Sequence, residues 1–407
     1  MLRIVMKIWL IFLGTLLMLG ICGCGGQVQK PKTKPNITYS QALQKALDDS
    51  RQKAEVVGAS ASVITPGEKN WNGVSGMSDP TTEEPITPDM LFDIGSVGKN
   101  YIATLILELV QEGRISLDDP IEKWLESYPN VDGRITVRQL LNHTSGIFDF
   151  VKNPQSPWQM AYRSTRIWSQ EEVLHELVSK PYFLPDSGWH YSSTNYILIR
   201  MIAEKIITTG ICSELNERYF VPLNLRHTVC IDPLGQIPSD IVIANNWFKN
   251  RIVDLAPKPQ TWTSTSPHLI YSNAEDLAQW IHSLYSKKQV IDQTLLDQML
   301  TFHTPTSHGI PIIGLGYSYN LFGIPTTGYG LGVVYIDHEA TEKFFGIKGI
   351  SMWGHGGSTH GYRAIAIYIP ESNTTISLLI NYDTGQGLMG IFKAIVKVVN
   401  YYMDLSK

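Results

Sequence analysis

Apolar positions recur with a helical period over Ser40–Val56, where Ala42, Leu43, Ala46 and Leu47 fall on one face. The next segment, Gly58–Ile64, alternates small or polar with apolar residues and predicts a strand. Pro66-Gly67 predicts a turn, and Trp71–Ser75 the returning strand. A loop rich in Pro and Thr follows, then a helix apolar almost all round over Tyr101–Val110, with Gly113 placed to end it. From Leu117 to about Leu300 the pattern is mostly helical between Pro-rich loops, clearest over Thr136–Asn142, Gln170–Val178, Asn195–Ile207 and Ala274–Tyr285. After Pro305 it changes: Tyr329–Tyr335, Tyr362–Ile369 and Thr374–Ile380 read as strands, and Met389–Tyr401 as a closing amphipathic helix.

Strands therefore come from both chain ends, with helices between them. The economical architecture is an α+β fold, an α/β sandwich: an antiparallel sheet built from both ends, flanked by helices, with an inserted, mainly helical subdomain. The sheet part takes residues 37–115 and 305–407, the helical part residues 116–304. Ser96 falls at the seam between the two, where clefts tend to form.

The first residues do not fit this pattern. Arg3 and Lys7 precede an apolar run, Ile8–Ile21, broken only by Gly14, Thr15 and Gly20. The run is short for a bilayer span of about 20 residues and fits a secretory signal peptide over residues 1–24, an uncleaved signal anchor being the alternative. Ile21-Cys22-Gly23-Cys24 resembles a bacterial lipobox, and Cys24, behind the small Gly23, suits lipidation better than Cys22. Gly25–Asn36, with prolines and three lysines, reads as a flexible tether to a domain over residues 37–407. The expectation is an exported, membrane-anchored lipoprotein at the cell surface or periplasmic face. In such a place Cys212 and Cys230 can pair as a disulfide, and two buried free thiols are the other reading.

A net charge of −4 over 407 residues, with no basic stripe, zinc-finger or helix-turn-helix pattern, argues against nucleic acid as a partner. No His-Glu-x-x-His motif occurs, and His303 and His308 flank Pro305, so no metal or other cofactor is predicted. Gly354-His355-Gly356-Gly357 lacks the lysine and Ser/Thr of a phosphate loop. Ile94, two before Ser96, rules out a Gly-x-Ser-x-Gly elbow.

The chemistry concentrates in Phe92-Asp93-Ile94-Gly95-Ser96-Val97-Gly98-Lys99. A serine and a lysine three apart at a helix start share a face, so the amine can reach the hydroxyl. The helix N-terminus adds unpaired N–H groups and partial positive charge. That combination can make an alcohol nucleophilic and points to acyl transfer. The same spacing fits an N-cap serine with a lysine snorkelling to solvent, and a second copy, Ser50-Arg51-Gln52-Lys53, lies on a polar helix.

Further segments separate these readings. Phe183-Leu184-Pro185-Asp186-Ser187-Gly188-Trp189-His190-Tyr191-Ser192-Ser193-Thr194-Asn195-Tyr196 is a Pro-containing loop entering a helix. Trp353-Gly354-His355-Gly356-Gly357-Ser358-Thr359-His360-Gly361-Tyr362-Arg363 is a glycine-rich approach to a strand. With the first motif they resemble the serine β-lactamase and D-alanyl-D-alanine peptidase superfamily, most of all its class C β-lactamase and DD-carboxypeptidase branch. Leu140-Leu141-Asn142-His143-Thr144-Ser145-Gly146, Gly113–Pro120 and Ser272–Leu277 resemble other stretches of that branch, in the same order.

The resemblance implies Ser96 as nucleophile, Lys99 as its activating partner and Tyr191 as the tyrosine of a Tyr-x-Asn motif. A phenol of pKa about 10 is a poor base unless an ammonium lowers it, and whether Lys99 or Tyr191 is the base stays open. The resemblance also implies that the N–H groups of Ser96 and Ser358 form the oxyanion hole, and that His355, Gly356 and Gly357 line the substrate edge. Ser193 stands where the motif has asparagine, which shifts the expected substrate from β-lactams towards D-alanyl peptides or small esters. Asn195 lies on the next helix, aimed elsewhere. His355, in place of lysine, is expected to titrate near neutrality. A catalytically weak or inactive penicillin- or cell-wall-binding lipoprotein of the same fold is the alternative.

Overall fold

The computed structural model describes residues 37–79, 82–156, 168–231, 242, 245–248, 251–254, 270–303, 319–321, 324–359, 361–382 and 385–405. The expected signal peptide, Cys24 and the expected tether lie outside the described residues. Helix α1 (Tyr39–Lys53) starts at a capping box in which Thr38 and Gln41 bond reciprocally, and it buries Leu43 and Leu47. Strands β1 (Gly58–Ile64), β2 (Trp71–Asp79) and β3 (Glu84–Pro85) follow, then the short β4 (Phe92–Asp93) and α2 (Gly98–Gln111). The central part holds α3 (Val137–Leu141), α4 (Gln170–Glu176), α5 (Ser193–Ile206), α6 (Ile211–Leu215), α7 (Ala274–Ile281) and α8 (Gln293–Met299).

That central part is less purely helical than its pattern predicts. Strands β5 (Thr228–Cys230) and β8 (Ile270–Ser272) join β4 in a small sheet, and β6 (Asn245–Phe248) and β7 (Arg251–Asp254) pair as a hairpin. A second hairpin, β9 (Tyr319–Leu321) with β10 (Ile324–Thr326), precedes the C-terminal sheet strands. Those are β11 (Gly328–Tyr329), β12 (Val334–Ile336), β13 (Met352–Thr359), β14 (Tyr362–Ile369) and β15 (Thr374–Ile380), with α9 (His338–Phe345) after β12 and α10 (Gly385–Leu405) last.

Among the described residues the main sheet has eight strands in the order β11-β12-β13-β14-β15-β1-β2-β3. Its pairings are antiparallel, so the two ends of the chain meet at the β15–β1 ladder. The alternation of β14 shows why the sheet carries helices on both faces. Ile365, Ile367 and Ile369 pack with α1 and α10 residues such as Leu43, Phe392 and Ile395. Tyr362, Ala364 and Ala366 pack in the other core, with Ile102, Leu105 and Trp280. Each buried Ile, Leu or Phe among these contributes about 1.5–3 kcal/mol.

Tyr329–Tyr335 differs from its expected single strand. Gly330 to Val333 turns the chain back, so Tyr329 pairs with Val334 across a tight hairpin. The apolar run hid the turn, which Gly332, at φ 72°, makes possible. Cys212 and Cys230 are joined in a disulfide between α6 and β5.

Candidate active site

Helix α2 is buried on nearly every side, so it fixes whatever its first turn carries. Ser96 sits just before it in a one-turn 3-10 segment, Gly95–Val97, and remains half-buried. Gly95 adopts φ 52°, and a Cβ there would lie 2.9 Å from the backbone nitrogen of Ser358. From the other side, a Cβ on Gly357 would lie 1.9 Å from the carbonyl oxygen of Ile94 and 3.2 Å from the nitrogen of Ser96. The turn and β13 thus meet backbone to backbone. Of β13, only Met352–Gly354 pairs with β12 among the described residues, which leaves His355–Thr359 to face the turn. This contact brings Ser96, Gly357 and Ser358 together.

Lys99, in the first turn of the helix, is 1 % exposed. Its Nζ donates to Ser96 Oγ at 3.1 Å and lies over the rings of Tyr191 and Tyr196, 5.1 and 5.3 Å from their centroids. Burial pushes the amine down to about 7, and the charge of Asp149 pulls it back up. The snorkelling alternative is thereby removed. The other Ser-x-x-Lys copy is inert, since Ser50 bonds back to the Ala46 carbonyl.

Tyr191 is buried at the entry to α5, its ring 4.3 Å from that of His143. The N–H groups of Ser192 and of the Asn195 amide reach His143 Nδ1 at 3.3 and 3.2 Å. Burial first, then the charge of Lys99, hold that imidazole well below its usual pKa. Asn195 also bonds Ser145 and the Leu140 carbonyl, so it holds the wall behind Tyr191 and does not stand in for Ser193. Ser193, half-buried, donates its N–H to Asp149 Oδ1 at 3.0 Å.

His355 departs from expectation. It is fully buried, with Nδ1 on the Gly356 carbonyl and Nε2 2.9 Å from the Tyr329 hydroxyl. Burial first, then the Lys99 charge, push its pKa down to about 3. It is therefore neutral throughout the neutral range, and the titration predicted for it does not occur there.

Three contributors escape the sequence reading. Asp149 is a buried carboxyl whose pKa burial raises while Ser193 N–H and Lys99 oppose that rise. A lone acid between Phe148 and Phe150 was the available signal, because such a group needs a partner once buried. Tyr329 anchors His355. Asp93 accepts the Gly95 N–H at 2.8 Å, and burial pushes its carboxyl up to about 7. Among the described residues no group of His, Cys, Asp and Glu is placed to hold a metal. The assembled parts are a half-exposed hydroxyl, an amine poised between charge states, a phenol beside it and a strand edge with two successive glycines.

The Beta-lactamase family profile matches residues 43–397. A penicillin-binding protein of Bacillus subtilis (strain 168) is 29% identical over 156 residues, 38% of this chain and 33% of that protein. Protein flp of Staphylococcus aureus (strain N315) is 25% identical over 248 residues, 59% of this chain and 48% of that protein. The chain thus spans half or less of the curated relatives it matches. Among solved structures, a D-stereospecific amidohydrolase from Streptomyces sp. superposes with TM-score 0.69 at 27% identity, covering 86% of this chain and 97% of that one. D-amino acid amidase from Ochrobactrum anthropi SV3 shares the fold, with TM-score 0.72 at 23% identity over 90% and 99% of the two chains. With its sheet order, its seam and a profile match across most of its length, this chain belongs to the Beta-lactamase family of β-lactamase-fold hydrolases.

Proposed function

We propose that the protein is a serine acyl hydrolase that works through an ester on Ser96. The observation that carries this reading is the 3.1 Å contact between Lys99 Nζ and Ser96 Oγ, with the amine held near 7. In its neutral form Lys99 takes the proton of Ser96 as Oγ attacks the substrate carbonyl carbon. The N–H groups of Ser96 and Ser358 receive the developing oxyanion. The proton on Lys99 then passes through Tyr191, beside it, to the leaving amine or alcohol as the carbon–heteroatom bond breaks, which leaves Lys99 neutral again. Water then attacks the ester and returns the proton through the same groups. Lys99 is assigned as the base because its pKa is matched to the task, whereas an ordinary phenol's is not.

The substrate edge at His355, Gly356 and Gly357 suits an extended acyl chain lying against β13. Substrates are D-alanyl-type peptides or amides, or small esters, in keeping with the D-stereospecific amidohydrolase likeness. The short Ser193 disfavours efficient β-lactam turnover. The protein acts outside the cytoplasm, tethered through lipid on Cys24; the disulfide between Cys212 and Cys230 supports an oxidising compartment. Loss of radiolabelled palmitate incorporation in Cys24→Ala tests the anchor, and retention refutes it.

The test of the chemistry uses a p-nitrophenyl ester, a D-alanyl-D-alanine peptide and a fluorescent penicillin on wild type and Ser96→Ala. Ser96-dependent turnover is the expected result. Stable penicillin labelling without turnover of any substrate would instead identify a penicillin-binding receptor.

A further inference from the structure

An oxyanion hole made from two chain segments works only if their spacing is held. Here one donor belongs to the Gly95–Val97 turn and the other to β13, segments more than 250 residues apart in the chain. Gly95 and Gly357 let them touch, but two facing glycines offer no side chain to lock the contact. One polar side chain spans it. Asp93, the last residue of β4, accepts the Gly95 N–H at 2.8 Å, which braces the left-handed residue before Ser96. Its carboxyl also faces the Thr359 hydroxyl, which favours its ionised form. Thr359 directly follows Ser358, and its Oγ1 is buried without a hydrogen-bond partner of standard geometry. Asp93 is itself anchored, since β4 pairs with Tyr271 and Ser272 of β8.

We propose that Asp93 is a positioning residue that clasps the Ser96 turn to β13 through Gly95 and Thr359, and so sets the spacing of the two oxyanion donors. This inference rests on the acyl-transfer reading of Ser96. Asp93 touches neither substrate nor reacting atoms. Its effect therefore falls on the transition state, where the oxyanion forms, and only weakly on ground-state binding.

The test compares wild type, Asp93→Ala, Asp93→Asn, Thr359→Val and the Asp93→Ala/Thr359→Val double variant of the full chain. The readouts are kcat and KM for the p-nitrophenyl ester and thermal midpoints. Asp93→Ala is expected to lower kcat by about 10²–10³-fold, as the loss of one oxyanion donor does, with KM within about twofold. Asp93→Asn keeps an acceptor for Gly95 and recovers kcat to within about tenfold. The double variant falls no further than Asp93→Ala, because residues acting as one unit are not additive. Should Asp93→Ala fail to fold, Asp93→Asn and Thr359→Val carry the test through the kcat-against-KM split.

A drop in thermal midpoint with kcat unchanged overturns the proposal, as does strict additivity in the double variant. Wild type without Ser96-dependent turnover sinks the acyl-transfer reading itself. An active wild type matched by an equally active Asp93→Ala sinks only the clasp.

Discussion

Asp149 Oδ1 accepts the backbone N–H of Ser193 at 3.0 Å, which places a buried carboxyl at the foot of α5 within electrostatic reach of Lys99. Burial drives the two groups in opposite directions, the amine down and the carboxyl up, and each favours the charged form of the other. The protonation state of Lys99 is thus shared with a residue outside the family motifs.

Removing that charge while keeping the shape should show the sharing. In Asp149→Asn the negative charge that favours the protonated amine of Lys99 disappears, so the amine loses its proton at lower pH. The acid limb of the kcat/KM profile is expected to move to lower pH relative to wild type. A limb at the same place, or one displaced upward, would show that Asp149 serves structure alone.

The wild-type profile itself has a predicted shape. With Lys99 near 7 and active when neutral, kcat/KM should rise through about pH 7 and level off above it. Asp93 titrates in the same region, and two variants separate them: the limb persists in Asp93→Asn and vanishes in Lys99→Met. Lys99→Met should also lose about 10²–10⁴ in rate, the usual worth of general base catalysis. Persistence of the limb in Lys99→Met would remove the lysine from the role.

Much of this arrangement can be read along the chain, for identifiable reasons. Ser96 and Lys99 are legible because three residues at a helix start fix their mutual reach whatever surrounds them. Strands β1, β14 and β15 occupy the residues their patterns predict, since buried central strands carry long apolar or small-residue runs. Tyr329–Tyr335 is misread because a two-residue strand, a turn and another strand share one unbroken apolar run. The state of His355 is illegible because it depends on Tyr329, 26 residues upstream, and on the Lys99 charge, which only tertiary packing brings near. Asp149 hides for the same reason: its partners are Ser193 and Lys99, 44 residues downstream and 50 upstream.

The neutral state of His355 gives a spectroscopic expectation. Its imidazole resonances should stay constant from pH 5 to 8. His355→Gln should leave the acid limb where it is in wild type. A titrating His355 signal in that window would restore the sequence-based expectation.

Ser193 offers a test of specificity. Its backbone is fixed by the bond to Asp149, and it remains half-buried two residues after Tyr191. Asparagine at this position would add a carboxamide able to bond the substrate's amide, a contact worth about 0.5–1.5 kcal/mol. That range corresponds to roughly two- to twelvefold. In Ser193→Asn, Ser96 acylation by the fluorescent penicillin should accelerate by that factor, because a penicillin carries an amide side chain. Hydrolysis of the p-nitrophenyl ester, which has no such amide, should change by less than about twofold. Equal gains on both substrates would mean that the substitution acts on Lys99 and not on the substrate. No gain on penicillin would show that the missing asparagine is not what limits β-lactam recognition here.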